Sequence, residues 1–199
     1  MGNDKKRKIL ELAGEKTILR PRDVRDAGLP RQYVYRLLEE GKLEKVGRGL
    51  YKLPDCEVSE HEMLLEVARR APKITVCLLS ALRFHGMTTQ NPFQIWVAIH
   101  HKDRVPRLDV PLKITRMTGK SLTEGKEKHQ INGVKVSIYN PAKTVADCFK
   151  FRNKIGLEVA IEALKDYHSQ NRGTMSQLWE YAKINRVHNL IRPYAEAIS

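Results

Sequence analysis

Apolar residues recur at helical spacing from the start of the chain. Between Asp4 and Lys16, Ile9, Leu10, Leu12 and Ala13 form one stripe behind a basic beginning, which predicts a first helix. Thr17-Ile18-Leu19 is a β-branched step long enough for one short strand. A second helix opens at Arg20-Pro21-Arg22-Asp23, with Pro21 in the first turn where a missing N–H costs little, and stops at Gly28. Pro30 opens a third helix that runs to about Glu40. On a helical wheel Val34, Leu37 and Leu38 gather on one side, and Gln32, Tyr35, Arg36 and Glu39 on the other. Gly41 ends it. Two short runs, Leu43–Val46 and Leu50–Leu53, flank Gly47-Arg48-Gly49 and read as a hairpin. Helix, strand, helix, helix and hairpin make a winged helix-turn-helix.

Pro54-Asp55 marks the expected boundary, giving a head of residues 1–54 and a body of residues 55–199. In the body, Glu57–Ala71 is helical, with Ser59 and Glu62 at capping-box spacing. Ile74–Gly86 reads as a short extended segment followed by a buried helix. Phe93–Ile99, Leu112–Met117 and Val134–Tyr139 read as strands, the last preceded by an Asn132-Gly133 turn. Thr118–Lys128 is polar and rich in Gly and Lys, and is expected to be a mobile loop. Asn140-Pro141 caps a helix through Lys150, and Leu157–His168 and Ser176–Ile198 add amphipathic helices, the last with breaks expected near Asn185 and Pro193. The expected fold class is α+β: a winged helix-turn-helix, then a mixed α/β domain with a small sheet and a helical C-terminus.

Charge sharpens this picture. The formal net charge is +13, and residues 1–54 hold 14 Lys and Arg against 8 Asp and Glu. Positive charge is thus more than twice as dense in the head as in the rest, which points to a polyanion partner. No apolar run approaches the roughly 18 residues of a membrane span. The N-terminus lacks the apolar segment of a signal peptide, so a cytoplasmic location is expected. Cys56, Cys77 and Cys148 are far apart without a C-x-x-C pair, and read as reduced buried thiols.

The exposed side of the third helix suits a major groove. Arg can bond guanine bidentately, Gln can bond adenine, and Tyr can reach a phosphate or a thymine methyl. Arg31, Gln32, Tyr33, Tyr35 and Arg36 are therefore candidate DNA contacts, with Arg22 on the second helix and Lys45 and Arg48 on the wing. A winged helix used only for contacts with protein or RNA is the alternative. One such unit buries little surface, so a tight operator calls for two copies or paired half-sites.

The pattern Arg22-Asp23, Ala27-Gly28, Arg31, Tyr35-Arg36-Leu37, Gly41 and Gly47-Arg48-Gly49-Leu50-Tyr51 resembles the AbiEi antitoxin/transcriptional-regulator family. Leu79-Ser80-Ala81-Leu82, His85-Gly86, Ile95-Trp96-Val97-Ala98 and the run Tyr139–Cys148 extend the resemblance over roughly residues 5–165. It implies a type IV toxin–antitoxin or phage-defence operon. There the head represses the operon's own promoter at inverted repeats, and the body opposes a nucleotidyltransferase-like toxin without necessarily binding it.

Enzymatic readings fare worse. No D-x-D pair offers the carboxylates of a nucleotidyltransferase, and Ile114 stands where a P-loop ending in Gly119-Lys120-Ser121 needs glycine. Asp109, Glu124 and Lys126 have the order of a metal nuclease, but Glu124 sits in the expected Gly- and Lys-rich loop rather than on a rigid strand. His100-His101 are expected to point opposite ways at a strand end, and His85 to pack or cap its helix. Trp96 and Trp179 read as core. Lys120, Lys126 and Lys128 read as solvated or as a second phosphate contact. No catalytic residue, metal or cofactor is expected.

Overall fold

The computed structural model describes residues 2–16, 19–47, 49–54, 60–108 and 110–198. The chain divides into two compact units: residues 1–63 with 109–111, and residues 64–108 with 112–199.

The head contains α1 (Gly2–Glu15), α2 (Pro21–Asp26), α3 (Gln32–Glu39), β1 (Glu44–Gly47) and β2 (Leu50–Lys52). β1 and β2 pair antiparallel as the wing. Leu19 joins them across β2, exchanging both backbone hydrogen bonds with Tyr51 at 2.8 and 3.0 Å. Thr17, Ile18 and Arg48 lie outside the described residues. The apolar stripes converge as their spacing requires: Ile9, Ala13, Leu19, Val24, Val34, Leu37, Leu43 and Tyr51 form one buried cluster. α3 begins at Gln32 rather than at Pro30, because the Pro30 and Arg31 carbonyls are spent on a preceding turn to Tyr33 and Val34. At the other end of the head, buried Asp23 accepts the Arg20 amide at 2.7 Å and Lys16 at 3.2 Å, closing the first turn of α2.

The body contains α4 (Glu60–Arg70), β3 (Thr75–Val76), α5 (Leu78–Phe84), β4 (Ile95–His100), β5 (Leu112–Met117), α6 (Lys120–Thr123), β6 (Lys126–Ile131) and β7 (Val134–Tyr139). It continues with α7 (Pro141–Lys150), α8 (Arg152–Ile155), α9 (Leu157–Ser169), α10 (Met175–Asn185) and α11 (His188–Ile198). Among the described residues its sheet has the order β5-β4-β3-β7-β6. β4 pairs parallel with β5 and β3 with β7, whereas β3/β4 and β6/β7 are antiparallel.

One expectation is overturned here. Thr118–Lys128 is not a loop: it forms the single turn α6 and the start of β6. The strand closes on β7 through Asn132-Gly133, both at positive φ (46° and 79°), the backbone a two-residue hairpin with right-handed strand twist requires. Lys126 and Lys128 therefore stand on an edge strand, and Lys120 opens α6.

α7 is the axis of the body. Asn140 caps it, its side-chain oxygen accepting the Lys143 amide at 2.8 Å, an arrangement worth about 1 kcal/mol. Every residue from Ala142 to Phe149 is buried. Val145, Cys148 and Phe149 pack with Ala160, Ala163 and Leu164 of α9 and Leu178 and Ala182 of α10. The final helices separate at Arg186, which takes left-handed backbone at φ 58°. Pro193 does not break α11, which runs through it. Cys77 and Cys148 are buried free thiols whose pKa values burial raises; Cys56 lies outside the described residues.

Within this apolar packing sits a polar chain. Lys143 Nζ donates to both oxygens of Asp147 at 2.5 Å, both side chains being fully buried, and lies 4.3 Å from the centre of the Tyr139 ring. Asn185 donates to Asp147 at 2.7 Å and accepts from Ser121 at 2.7 Å. Lys150 reaches Ser121 at 2.8 Å. Burial pushes the Asp147 carboxyl pKa up, against the opposing pull of Lys143 and the Asn185 hydrogen bond. The chain from Glu124 to Lys126 crosses directly over Lys143. A Cβ on Gly125 would stand 2.7 Å from that of Lys143, and Gly125 is at φ 74°, so only glycine fits.

Candidate nucleic-acid interface

Two turns of α3 separate its residues by burial. Val34 and Leu37 are 3% and 0% exposed and anchor the helix in the head. Arg31, Gln32, Tyr35, Arg36 and Glu39 are exposed. Tyr35, at 52%, is one of the few large hydrophobic-bodied side chains left in water among the described residues. Tyr33 is half-buried, and its ring carries Arg36 at 5.4 Å and Lys5 at 6.0 Å from its centre. The tyrosine thus acts as a shelf that holds two cations together, one from α3 and one from α1.

The wing backs the first turn of this helix. Burial raises the pKa of the Tyr51 phenol on β2, with the neighbouring Tyr35 phenol pushing the same way and Arg31 opposing. Arg31 and Tyr35 of α3 therefore lie close to Tyr51 of the wing. Lys45 is exposed on β1 opposite Tyr51.

Ion pairing distinguishes the cations of the head. Arg7 and Lys8 are bound to Asp4 at 3.1 and 3.2 Å, Lys16 to Asp23 at 3.2 Å and Lys52 to Glu44 at 3.2 Å. Lys6 pairs with Glu40, which also meets Lys42 at 3.2 Å; hydrogen bonds from these two lysines hold the Glu40 carboxyl below its usual range. By contrast, among the described residues no carboxylate lies within 4 Å of Arg31, Arg36 or Lys45. Arg22 is half-buried on α2 and already engaged within the protein.

The exposed α3 candidates thus include two cations, Arg31 and Arg36, with no carboxylate within 4 Å among the described residues. Lys5 was not visible as a member of this group. Its contact with Tyr33 spans two helices, and the only sequence signal is the dense basic start.

Among the described residues no group of three His, Cys, Asp or Glu side chains could hold a metal ion. Asp109 lies outside the described residues, Glu124 is exposed beside Thr123, and Lys126 is on β6. His100 and His101 do not diverge as expected: their ring centres are 4.3 Å apart, because β4 ends at His100 and the chain turns there. His85 meets the Tyr139 carbonyl at 2.8 Å through Nε2, and burial lowers its pKa. Trp96 is buried and Trp179 packs on the core. No helix among the described residues is long and apolar enough to cross a membrane.

A comparison with curated proteins finds no match. Among solved structures, the crystal structure of RV2827C protein from Mycobacterium tuberculosis is similar, with 14% identity and a TM-score of 0.45, covering 98% of this chain and 80% of that one. Residues 7–54 match the family model described as "Transcriptional regulator, AbiEi antitoxin". That segment spans most of α1, then α2, α3 and the wing, so the head of this chain is similar to the AbiEi antitoxin transcriptional regulators.

Proposed function

We propose that the protein represses its own promoter as the antitoxin of a type IV toxin–antitoxin or phage-defence operon. α3 enters the major groove, and Arg31, Gln32, Tyr35 and Arg36 face the bases while Tyr33 positions Arg36. Lys45 and Arg48 of the wing, and Arg22 of α2, contact the phosphate backbone. The body opposes a nucleotidyltransferase-like toxin, and the operator is an inverted repeat taking two copies. The protein has no catalytic role and works in the cytoplasm. The domain division at residues 54 and 55 separates the two tasks.

One observation carries this reading: Arg31 and Arg36 are exposed on α3 without a carboxylate partner among the described residues, whereas Arg7, Lys8, Lys16 and Lys52 each have one. A cation left unneutralised in so heavily paired a head is available to a phosphate or a base edge. Gel-shift titration of the upstream DNA tests it. Arg36→Ala is expected to cost about 1–3 kcal/mol of specific binding, roughly 5- to 150-fold. Promoter affinity unchanged in Arg36→Ala and in Arg31→Ala would refute the groove assignment.

A further inference from the structure

We infer that the pocket beside Trp96 is a second nucleic-acid site, taking one nucleotide of a single strand, with its base on Phe93 and its phosphate at Lys113. The pocket measures about 280 Å³ and is lined by Leu79, Gln90, Pro92, Phe93, Trp96 and Lys113, together with Asn91 and Gln94. That volume lies just below the usual range of ligand sites and is on the scale of a nucleoside.

Its chemistry is specific in three respects. Phe93 is 42% exposed, an aromatic face kept in water at the mouth of a cavity. Every base has a π-face, so such a platform holds a base whatever its sequence. Gln90, Asn91 and Gln94 make no side-chain hydrogen bond among the described residues. A carboxamide offers a donor and an acceptor side by side, as the edge of a base does. Lys113 is exposed, 5.7 Å from the centre of the Trp96 ring, with no carboxylate within 4 Å among the described residues.

The floor is rigid. The Trp96 amide donates to the buried Ser80 hydroxyl at 3.1 Å, and its carbonyl accepts the Cys77 amide at 2.9 Å. Lys113 lies opposite Trp96 in the β4–β5 register, on a strand at the edge of the described sheet. Arg116 follows on the same strand, and its guanidinium donates to the carbonyls of His100, His101 and Asp103 at 3.3, 2.7 and 2.9 Å. That tie fixes the exposed segment carrying Lys102 and Arg104 against the strand. Duplex DNA keeps its bases stacked and cannot fill the pocket, so the site is distinct from the surface of α3.

The test uses the full chain carrying Arg31→Ala and Arg36→Ala, so that failure of promoter binding and failure of this site are read separately. A fluorescein-labelled ten-nucleotide single-stranded RNA is titrated and followed by anisotropy, with a ten-base-pair duplex and AMP as competitors. The single strand is expected to bind, the duplex to compete poorly, and Phe93→Ala or Lys113→Glu to weaken binding about tenfold or more. Both positions are solvent-exposed, so an unchanged melting temperature verifies that the fold is intact. Absence of binding, binding unaffected by both substitutions, or binding of AMP without the oligomer would each overturn the proposal.

Discussion

The head and the body are both rich in lysine and carboxylates, yet they handle a cation in opposite ways. In the head Arg36 stands in water over a tyrosine ring, free of any carboxylate within 4 Å among the described residues. In the body Lys143 also lies over a tyrosine ring, but is fully buried and locked to Asp147. The exposed arrangement leaves the charge available at small cost to stability, since surface ion pairs contribute little. The buried one spends the charge entirely on the fold, where a lone ion is expensive. A cation over an aromatic ring thus serves recognition or architecture according to whether a carboxylate and burial complete it.

The largest effect that follows is on stability. Asp147→Ala should lower the unfolding free energy by about 3–5 kcal/mol, because Lys143 is left buried without a counter-charge. Combining it with Lys143→Met should recover much of the loss in urea denaturation. A single substitution costing under about 1 kcal/mol would show that the pair is not structural, and would break the contrast.

Gly125→Ala should come next. The new methyl group collides with the Lys143 stem and the backbone is left-handed, so a loss of about 1–3 kcal/mol is expected by thermal melting. No loss would mean the strand can lift off α7, and that the enclosure of Lys143 is looser than its burial implies.

The smallest change sharpens the head's side. Lys45→Ala should leave stability within about 0.5 kcal/mol of the parent. It should weaken binding to all DNA sequences alike, and reduce the slope of log affinity against log salt by about one. A slope unchanged across 50–200 mM salt would remove Lys45 from the phosphate contacts.

How much of this was legible in the sequence depended on whether the signal was local. The two sides of α3 follow from the positions of Val34 and Leu37 alone, and the Asn140-Pro141 cap from two adjacent residues. β4, β5 and β7 were readable because their apolar positions cluster. β6 was not: Lys126-Glu127-Lys128-His129-Gln130-Ile131 is polar at nearly every position, as an edge strand exposed to water can be, and its partner β7 supplies the buried residues. α6 is a single turn, too short for periodicity to show. The network around Asp147 could not be seen, since Ser121, Asp147 and Asn185 come from separate segments and each is unremarkable where it stands. Likewise Lys5 joins the α3 surface only once α1 packs on α3.

The two outer strands of the body's described sheet have a bearing on how the protein survives at high concentration. β5 presents Lys113 and Arg116 to solvent, and β6 presents Lys126, Glu127 and Lys128. An unpaired strand edge is a template on which another chain can add, and charged side chains there oppose it by forcing an incoming strand to bury ions. Both flanks of the sheet therefore discourage fibril-like stacking during synthesis and storage. Replacing these residues with threonine or valine would leave the fold's interior intact while inviting chains to associate edge to edge.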